Sequence, residues 1–238
     1  DVYNRCLAAD NCIALNNFWR SLANLQINVM GLDGCRGSGN FWAVSQASPM
    51  RRVNITGGNL TLMDYCTGPS YASGGFIADS QAGLVINGSQ QQFLVRDSQV
   101  GEWTNGVWNQ VFSGVIGAPA QSFGVPGGQP YTTLPTTAVS REKPYLYVDA
   151  KGAYRVFLPA LRRDTSGPSW GAAPTAGSSI GIGEFYIAKP GDSAKTINRE
   201  LDRGRHLLFT PGIYRLDRAL NVKRRNTVVL GLGYPTLI

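Results

Sequence analysis

Two stretches of this chain begin with the same triplet and end in a short alternating strand. The first leads from Asn17–Trp19 to Leu25–Val29, and the second leads from Asn40–Trp42 to Arg52–Ile55. Similar segments that recur about every 20 to 30 residues, each ending in a strand of alternating apolar and polar residues, are typical of a solenoid of stacked coils. The repeat therefore predicts a fold that builds an extended surface from similar turns.

Short strand-like runs continue along the first half of the chain. Each is rich in β-branched or aromatic residues and is bounded by Gly, Asn, Asp or Ser, which favour turns. These runs are residues 75–78, 83–88, 92–96 and 106–112. No amphipathic helical pattern precedes residue 190. The pattern predicts an all-β, right-handed parallel β-helix, a single-stranded solenoid whose Asn and Gln side chains bond between coils at the corners. A jelly roll is the alternative.

The composition changes twice along the chain, which predicts three parts. Residues 1–117 carry the repeats and are interpreted as the last coils of a first β-helix. Residues 118–139 lack periodicity and are rich in Pro, Gly, Thr and Ala, so residues 118–183 are interpreted as a linker that holds a β-hairpin at 144–158. Residues 184–238 begin with a capped helical pattern and continue into strand patterns, which predicts a capping helix and the first coils of a second β-helix.

Charge is concentrated in the second part of the chain. Residues 1–140 hold 6 basic against 7 acidic residues, whereas residues 141–238 hold 16 against 8. The basic residues are scattered, and the densest run, Lys223–Arg225, lies between two strand patterns. This distribution indicates a solvated surface rather than a nucleic-acid interface. No segment has the apolar length needed to span a bilayer, so neither a nucleic acid nor a membrane is an expected partner.

Four cysteines lie in the first third of the chain without the spacing of a zinc site, and only one His is present. An even number in a loop-rich chain indicates two disulfides and an oxidising compartment, hence a secreted, extracellular protein. Three connectivities are possible. The pairing of Cys6 with Cys12 and of Cys35 with Cys66 is preferred because it crosses the fewest coils. We expect no metal site and no cofactor.

Three motifs are similar to those of a known family. Gly39–Ser48 is similar to a W-Q-V-[SA]-Q motif, Ala72–Phe76 accompanies it, and Gly88–Phe93 is similar to a G-N-Q-Q-F coil. With two β-helices in tandem, the chain resembles glycoside hydrolase family 55, the laminarinases that cleave β-1,3-glucan, within the pectate-lyase-type β-helix superfamily. The resemblance implies an inverting hydrolysis, in which an acid protonates the leaving oxygen while a positioned water attacks the opposite face.

The resemblance also implies roles for particular residues. Gln46 and Ser73 match the positions that hold the attacking water. Ala43 stands where the family usually has another glutamine. The general acid would come from the second β-helix, beyond Ile238. Both ends of the chain fall inside repeat patterns, so we expect the rest of the same polypeptide, or a second chain, to complete the site.

Aromatic and amide side chains are the candidates for contact with a polysaccharide or oligosaccharide. Aromatic rings stack on the apolar faces of sugars, although Trp in a β-helix also packs inside the coil. The candidate substrate-binding residues are Trp42, Gln91, Trp103, Trp108 and Gln110. The acids nearest the strand ends of the first helix are Asp79, Asp97 and Glu102, each of which is also a common turn former.

Three hypotheses for function follow. The first is a secreted glycoside hydrolase that acts on β-1,3-glucan or a related polysaccharide. The second is a noncatalytic polysaccharide-binding or structural β-helix, which the Ala43 departure favours. The third is a polysaccharide lyase that would use Arg51, Arg52 or Arg96, usually with calcium. Hydrolysis releases reducing ends, a lyase also creates an unsaturated sugar that absorbs ultraviolet light, and a binder yields neither product.

Overall fold

The chain forms two compact units, each described here by itself. The computed structural model describes residues 2–3, 14–31, 34–66, 70–88, 92–105, 109–124, 129–171 and 174–238. Unit 1 comprises residues 1–141 and 161–175, and unit 2 comprises residues 142–160 and 176–238. The segment 118–183 is thus shared between the two units, which differs from the single linker predicted for it.

The regular secondary structure of the described residues is mostly β-strand, with a single α-helix. The strands of the first half are β1 (Leu22–Asn28), β2 (Gly39–Phe41), β3 (Pro49–Thr56), β4 (Asn59–Thr61), β5 (Gly75–Ala78), β6 (Gln81–Ile86), β7 (Phe93–Arg96), β8 (Gln99–Thr104), β9 (Gln110–Ser113), β10 (Ser122–Phe123), β11 (Pro130–Leu134) and β12 (Thr137–Ser140). The elements that follow are β13 (Tyr145–Val148), β14 (Tyr154–Pro159), β15 (Arg162–Thr165), β16 (Gly177–Gly181), β17 (Phe185–Ala188), α1 (Ala194–Asp202), β18 (His206–Phe209), β19 (Ile213–Tyr214), β20 (Val229–Gly231) and β21 (Thr236–Leu237).

Unit 1 is a parallel β-helix. Its first ladder stacks β1, β3, β5, β7, β9 and β11 in parallel, and its second ladder joins β2, β4, β6 and β8. The β-helix predicted from the repeats is therefore confirmed, and the jelly-roll alternative, an antiparallel fold, is wrong. Strand β11 pairs with β9, so this β-helix extends beyond the boundary predicted at residue 117.

The register of the first ladder builds a continuous interior. Met50 pairs with Ile77, Ile77 with Val95, and Val95 with Phe112. All four side chains are buried in the core of unit 1. Because successive side chains of a strand point to opposite faces, their neighbours in the same strands form rows on the outside of the ladder.

Each coil bends from the first ladder toward the second through a residue with left-handed backbone. The register superposes these residues, which form the corner column: Asn24, Arg52, Asp79, Asp97 and Gly114, with φ between 45° and 59°. Asn, Asp and Gly adopt this conformation most readily. The corner column sets where every coil turns, and so it sets which residues of the first ladder face outward.

Unit 2 combines an antiparallel sheet, a parallel sheet and the helix. Strands β13, β14 and β16 pair antiparallel, and this includes the hairpin expected at 144–158. Strands β17, β18 and β20 pair in parallel. Helix α1 begins after Ser193, whose side chain accepts a hydrogen bond from the Thr196 N–H. Its apolar residues Ile197 and Leu201 are buried against Leu207 and Phe209 of β18. No helix among the described residues is long and apolar enough to cross a membrane.

One of the two predicted disulfides lies within the described residues. Cys35 and Cys66 are bonded, with their Cα atoms 5.8 Å apart, which confirms this pairing. Cys6 and Cys12 lie outside the described residues, so their pairing stays a prediction.

The Cys35–Cys66 bond should contribute measurably to stability. It links residues 31 apart in sequence, and the loop-closure entropy that it removes from the unfolded chain corresponds to about 3–4 kcal/mol. Replacing both cysteines by Ala is expected to lower the free energy of unfolding in urea by about this amount. An unchanged free energy of unfolding would contradict the prediction.

Stability should fall on mild acidification because of His206. Its Nδ1 accepts a hydrogen bond of 3.0 Å from the Val228 N–H, and burial lowers its pKa, opposed by the nearby carboxylate of Glu184. The folded state therefore disfavours the charged ring. This stability is present above the ordinary pKa of His and is lost as the pH falls from 6.5 through the lowered value. Urea unfolding at pH 7 and pH 5.5 measures the loss.

The control for this experiment is His206→Gln, which cannot titrate. His206 is the only histidine of the chain, so the variant should show a much smaller change in unfolding free energy between these two pH values. An equal change in both proteins would assign the pH dependence to other groups.

Candidate functional site

A groove of about 710 Å³ crosses the outward face of the first ladder in unit 1. The first ladder supplies its floor, and the turns that precede the strands supply its polar side. The polar side chains that line the groove belong to Gln46, Ser48, Arg51, Gln92 and Asn109. The groove thus combines an apolar surface with hydrogen-bonding groups, which is typical of a binding site for a small or chain-like polar ligand.

The floor of the groove is an apolar strip that the strand register produces. Pro49 pairs with Phe76, Phe76 with Leu94, and Leu94 with Val111. These four outward residues stand on successive coils at a spacing of about 4.8 Å. Leu94 is 42% exposed, which is a large exposure for Leu at the middle of a row. The strip offers a sugar ring an apolar face over several coils.

Gln46 and Ser73, the pair predicted to hold the attacking water, meet at one side of the groove. The Ser73 hydroxyl donates to Gln46 Oε1 at 3.4 Å. Gln46 is exposed and lines the groove, and Ser73 is half-buried. The backbone N–H of Ser73 donates to the Val44 carbonyl at 3.2 Å, which ties the two turns together. Two neutral polar groups so arranged can orient a water molecule.

Glycine 74 allows this close approach of the two turns. Its φ is +68°, and a Cβ there would lie 2.8 Å from the Gln92 carbonyl oxygen and 3.8 Å from the Gln46 side chain. A side chain at this position would therefore be strained and would press on the groove. Ala47, directly after Gln46, also has left-handed backbone, with φ 59°.

Phe76 of the floor lies against two arginines, Arg51 and Arg96, and these three residues are here called the wall of the groove, which Phe76 and Arg51 line directly. The guanidinium carbon of Arg51 lies 4.4 Å from the centre of the Phe76 ring, and that of Arg96 lies 6.0 Å from it. Such contacts orient both the ring and the cations. Arg96 also makes an ion pair of 2.6 Å with Asp97.

The candidate acids lie away from the groove. Among the described residues, those lining the groove include no Asp or Glu. Asp79 and Asp97 are fully buried in the corner column, where they accept hydrogen bonds. Glu102 is an exposed residue of β8 in the second ladder. The groove can bind and orient, but it does not itself present a carboxylic acid.

Three of the predicted sugar-binding side chains lie inside the coil instead. Trp42, Trp103 and Gln110 are 3%, 6% and 0% exposed. Trp103 packs edge-to-face between Phe93 and Phe112, with ring centres 6.0 and 5.0 Å away. A sugar outside the coil does not reach these groups, so the predicted contact does not hold for them. Gln91 and Trp108 lie outside the described residues.

The departure at Ala43 also falls in the interior. Its side chain is fully buried in a small cluster with Ala14 and Ala72. Its carbonyl accepts a hydrogen bond of 3.0 Å from the Asn17 side chain. A residue at this position therefore packs between coils and does not line the groove.

The arginines of the lyase hypothesis serve structural contacts. Arg52 lies 3.5 Å from Asp79, Arg96 pairs with Asp97, and Arg51 covers the Phe76 ring. Within the described ranges, no group of three or more His, Cys, Asp or Glu could hold a metal ion. The geometry thus gives the lyase hypothesis no support of its own.

Sequence reasoning missed Phe76, Leu94 and Val111, which form the centre of the floor. Each was recognised as part of a strand, but the side it faces was not assigned. The sequence does carry a signal for the direction. Phe76 and Leu94 each stand three residues before a corner residue, Asp79 or Asp97, so the two side chains must face the same side of the ladder.

Comparisons with known proteins agree with this architecture. Residues 185–238 match the family model described as the LAM55 pectate lyase-like domain. The chain is 52% identical over 226 residues to an exo-beta-1,3-glucanase from Streptomyces sp. (strain SirexAA-E / ActE), covering 94% of this chain and 35% of that protein. It is 34% identical over 92 residues, 34% of this chain and 10% of the relative, to a probable glucan endo-1,3-beta-glucosidase from Arthroderma benhamiae.

Solved structures give the same result. The structure of sacteLam55A from Streptomyces sp. SirexAA-E matches with a TM-score of 0.85 at 51% identity over 94% of this chain and 39% of that chain. A variant of that protein in complex with glucose matches with a TM-score of 0.85 at 52% identity, over 94% of this chain and 38% of that one. The resemblance predicted from the motifs is confirmed. The chain spans a little over a third of the length of these Streptomyces relatives.

Replacing Gly74 by Ala should destabilise unit 1. The left-handed φ alone costs a residue with a side chain about 1–2 kcal/mol, and the contact with the Gln92 carbonyl adds to this. The free energy of unfolding in urea measures the effect. Gly83→Ala is the matched control, since a Cβ at Gly83 meets no atom within 4 Å, and it should change stability by less than about 0.5 kcal/mol. Equal effects of the two variants would contradict the assignment.

Proposed function

We propose that this chain provides the substrate groove of an extracellular hydrolase that acts on β-1,3-glucan or a related polysaccharide. The observation that carries the proposal is the Gln46–Ser73 pair beside the apolar strip of Phe76, Leu94 and Val111 in a single groove. The similarity to an exo-beta-1,3-glucanase and to a structure in complex with glucose supports a sugar ligand.

In the proposed mechanism the glucan lies along the groove with the apolar face of a sugar ring against the strip. Rings and aliphatic side chains stack on the C–H faces of sugars, while Gln92 and Asn109 are placed to bond sugar hydroxyl groups. These contacts fix the position of the anomeric carbon relative to Gln46 and Ser73. Positioning of this kind lowers the entropy cost of the attack.

The proposed reaction inverts the configuration at the anomeric carbon. Gln46 and Ser73 hold a water on one face of the sugar, and a carboxylic acid protonates the leaving oxygen from the other face. The amide and the hydroxyl are neutral and so orient the water, which a general base elsewhere must deprotonate. We place the general acid in the rest of the polypeptide or in a second chain, since the described residues that line the groove carry no carboxyl group.

The proposed location is extracellular. The Cys35–Cys66 disulfide supports it, because disulfides persist in oxidising environments and are rare in the cytosol.

A second candidate function is noncatalytic binding of the same polysaccharide. The absence of Asp and Glu from the described groove residues favours it. The two candidates differ in product, since a hydrolase releases reducing ends from laminarin and a binding protein retains the polymer without releasing any. A product that also absorbs ultraviolet light would instead indicate a lyase.

Removing the Gln46 or Ser73 side chain should slow hydrolysis strongly while binding persists. In the whole protein, Gln46→Ala and Ser73→Ala are each expected to lower kcat on laminarin by about 10²-fold, the scale at which a misplaced reacting group slows a reaction. KM should change little, because the apolar strip stays intact. Reducing-sugar release under saturating substrate measures kcat.

The matched controls are Gln99→Ala and Ser38→Ala, at two exposed residues of unit 1 that are not among the residues lining the groove. Both should retain the wild-type kcat. A wild-type protein that binds laminarin without releasing sugar would favour the binding function. A wild-type kcat in both groove variants would remove Gln46 and Ser73 from the mechanism.

A further inference from the structure

Residues 161–175 of unit 1, here called the strap, contact one coil of the β-helix after another along the corner column. Thr165 bonds Asp97, Gly167 donates its N–H to the Gly114 carbonyl at 2.9 Å, and Ser169 bonds Asp79. The contacts continue at Arg52, which donates to Thr175 at 3.0 Å. Thr165 and Gly167 thus contact the coils of Asp97 and Gly114, and Ser169 and Thr175 contact the two earlier coils, those of Asp79 and Arg52.

The strap satisfies two buried carboxylates. The side chains of Asp79 and Asp97 have no solvent exposure. Asp79 accepts hydrogen bonds from the Ser169 N–H and, at 2.9 Å, from the Ser169 hydroxyl. Asp97 accepts a hydrogen bond of 2.9 Å from the Thr165 hydroxyl. A buried carboxylate needs such donors, because its desolvation is costly when they are lacking.

Both carboxylates also hold arginines beside the groove. Asp97 pairs with Arg96 at 2.6 Å, and Arg96 lies against the Phe76 ring. Asp79 lies 3.5 Å from Arg52, which directly follows Arg51, the residue that covers Phe76. A chain of contacts therefore leads from the strap through the corner column to the Phe76 wall of the groove.

We propose that Thr165 and Ser169 are positioning residues that hold the wall formed by Arg51, Phe76 and Arg96 in place for a sugar ring. The hydroxyl of Thr165 fixes the Asp97 carboxylate, and this carboxylate fixes the Arg96 guanidinium. Ser169 fixes the Asp79 carboxylate, and Asp79 directly follows β5, the strand that carries Phe76. The inference rests on the proposed function, since it takes the groove as the place of the glucan.

Thr165→Val removes the hydroxyl and keeps the shape of the side chain, so it tests the link directly. In the whole protein we expect KM for a short soluble β-1,3-glucan oligosaccharide to rise about 10-fold with kcat little changed, because the wall contributes to binding. Hydrogen exchange of the β5 and β7 amides, measured without sugar, should become faster. Ser169→Ala should likewise raise KM and speed the exchange. Thr165→Ser keeps the hydroxyl, so it should leave both KM and exchange at their wild-type values.

The matched control is Ser166→Ala, an exposed strap residue next to Thr165, which should leave KM and exchange unchanged. Lower thermal stability of Thr165→Val with wild-type KM and wild-type exchange in β5 and β7 would overturn the inference and leave the strap a purely structural element. If Thr165→Val does not fold, Ser169→Ala decides by the same two readouts.

Hydrogen exchange measured without sugar tests this inference independently of the proposed function. If the wild-type protein neither binds nor cleaves the oligosaccharide, the proposed function fails, while faster exchange in Thr165→Val still supports the link from strap to wall. Unchanged exchange overturns that link whatever the protein does to sugar.

Discussion

The corner column is the constraint on which the rest of unit 1 depends. The coils must turn one above another, and five of them do so through a residue with left-handed backbone. Gly, Asn and Asp adopt this backbone most readily, and Arg52 is the exception in the column. Two of these corners carry fully buried carboxylates, which oblige the protein to supply donors for them. The strap supplies those donors. The buried carboxylates at the corners therefore connect the turn geometry of the coils with the course of the segment 161–175.

Local sequence signals were enough to predict much of this fold. Repeats, short strands and turn residues were enough for the parallel β-helix, since they are local signals. The boundary at residue 117 was drawn too early because β11 follows a Pro- and Gly-rich stretch that resembles a linker. A stronger repeat was present: Asp79-Ser80-Gln81 and Asp97-Ser98-Gln99 recur after 18 residues. Aligning these two corners gives the register of β5 with β7 and of β6 with β8.

The residues of the candidate site also differ in how far the sequence could assign them. A motif marks the turns of Gln46 and Ser73, and their role in holding a water stays a prediction. The side that Trp42, Trp103 and Gln110 face could not be assigned from residue type alone. In a strand, a shift of one residue moves a side chain from the surface to the core. Trp and Gln are suited to sugar binding on the outside and to packing or bonding between coils on the inside. Only the register decides, and it places Phe76, Leu94 and Val111 outward.

The groove has a chemical character that bears on its proposed role. Its described lining is apolar or neutral, except for Arg51, whose guanidinium lies over Phe76. An apolar, weakly hydrated surface raises the pKa of a carboxylic acid placed against it, which is the condition that a general acid needs near neutral pH. In the hydrolysis proposed above, the groove of unit 1 would supply groups that orient a water, and its apolar strip would favour the protonated form of an acid placed against it, whereas the Arg51 guanidinium would favour the ionised form. The pH dependence of the reaction would then belong to the acid and base that the rest of the protein brings to the groove, and not to the groove residues themselves.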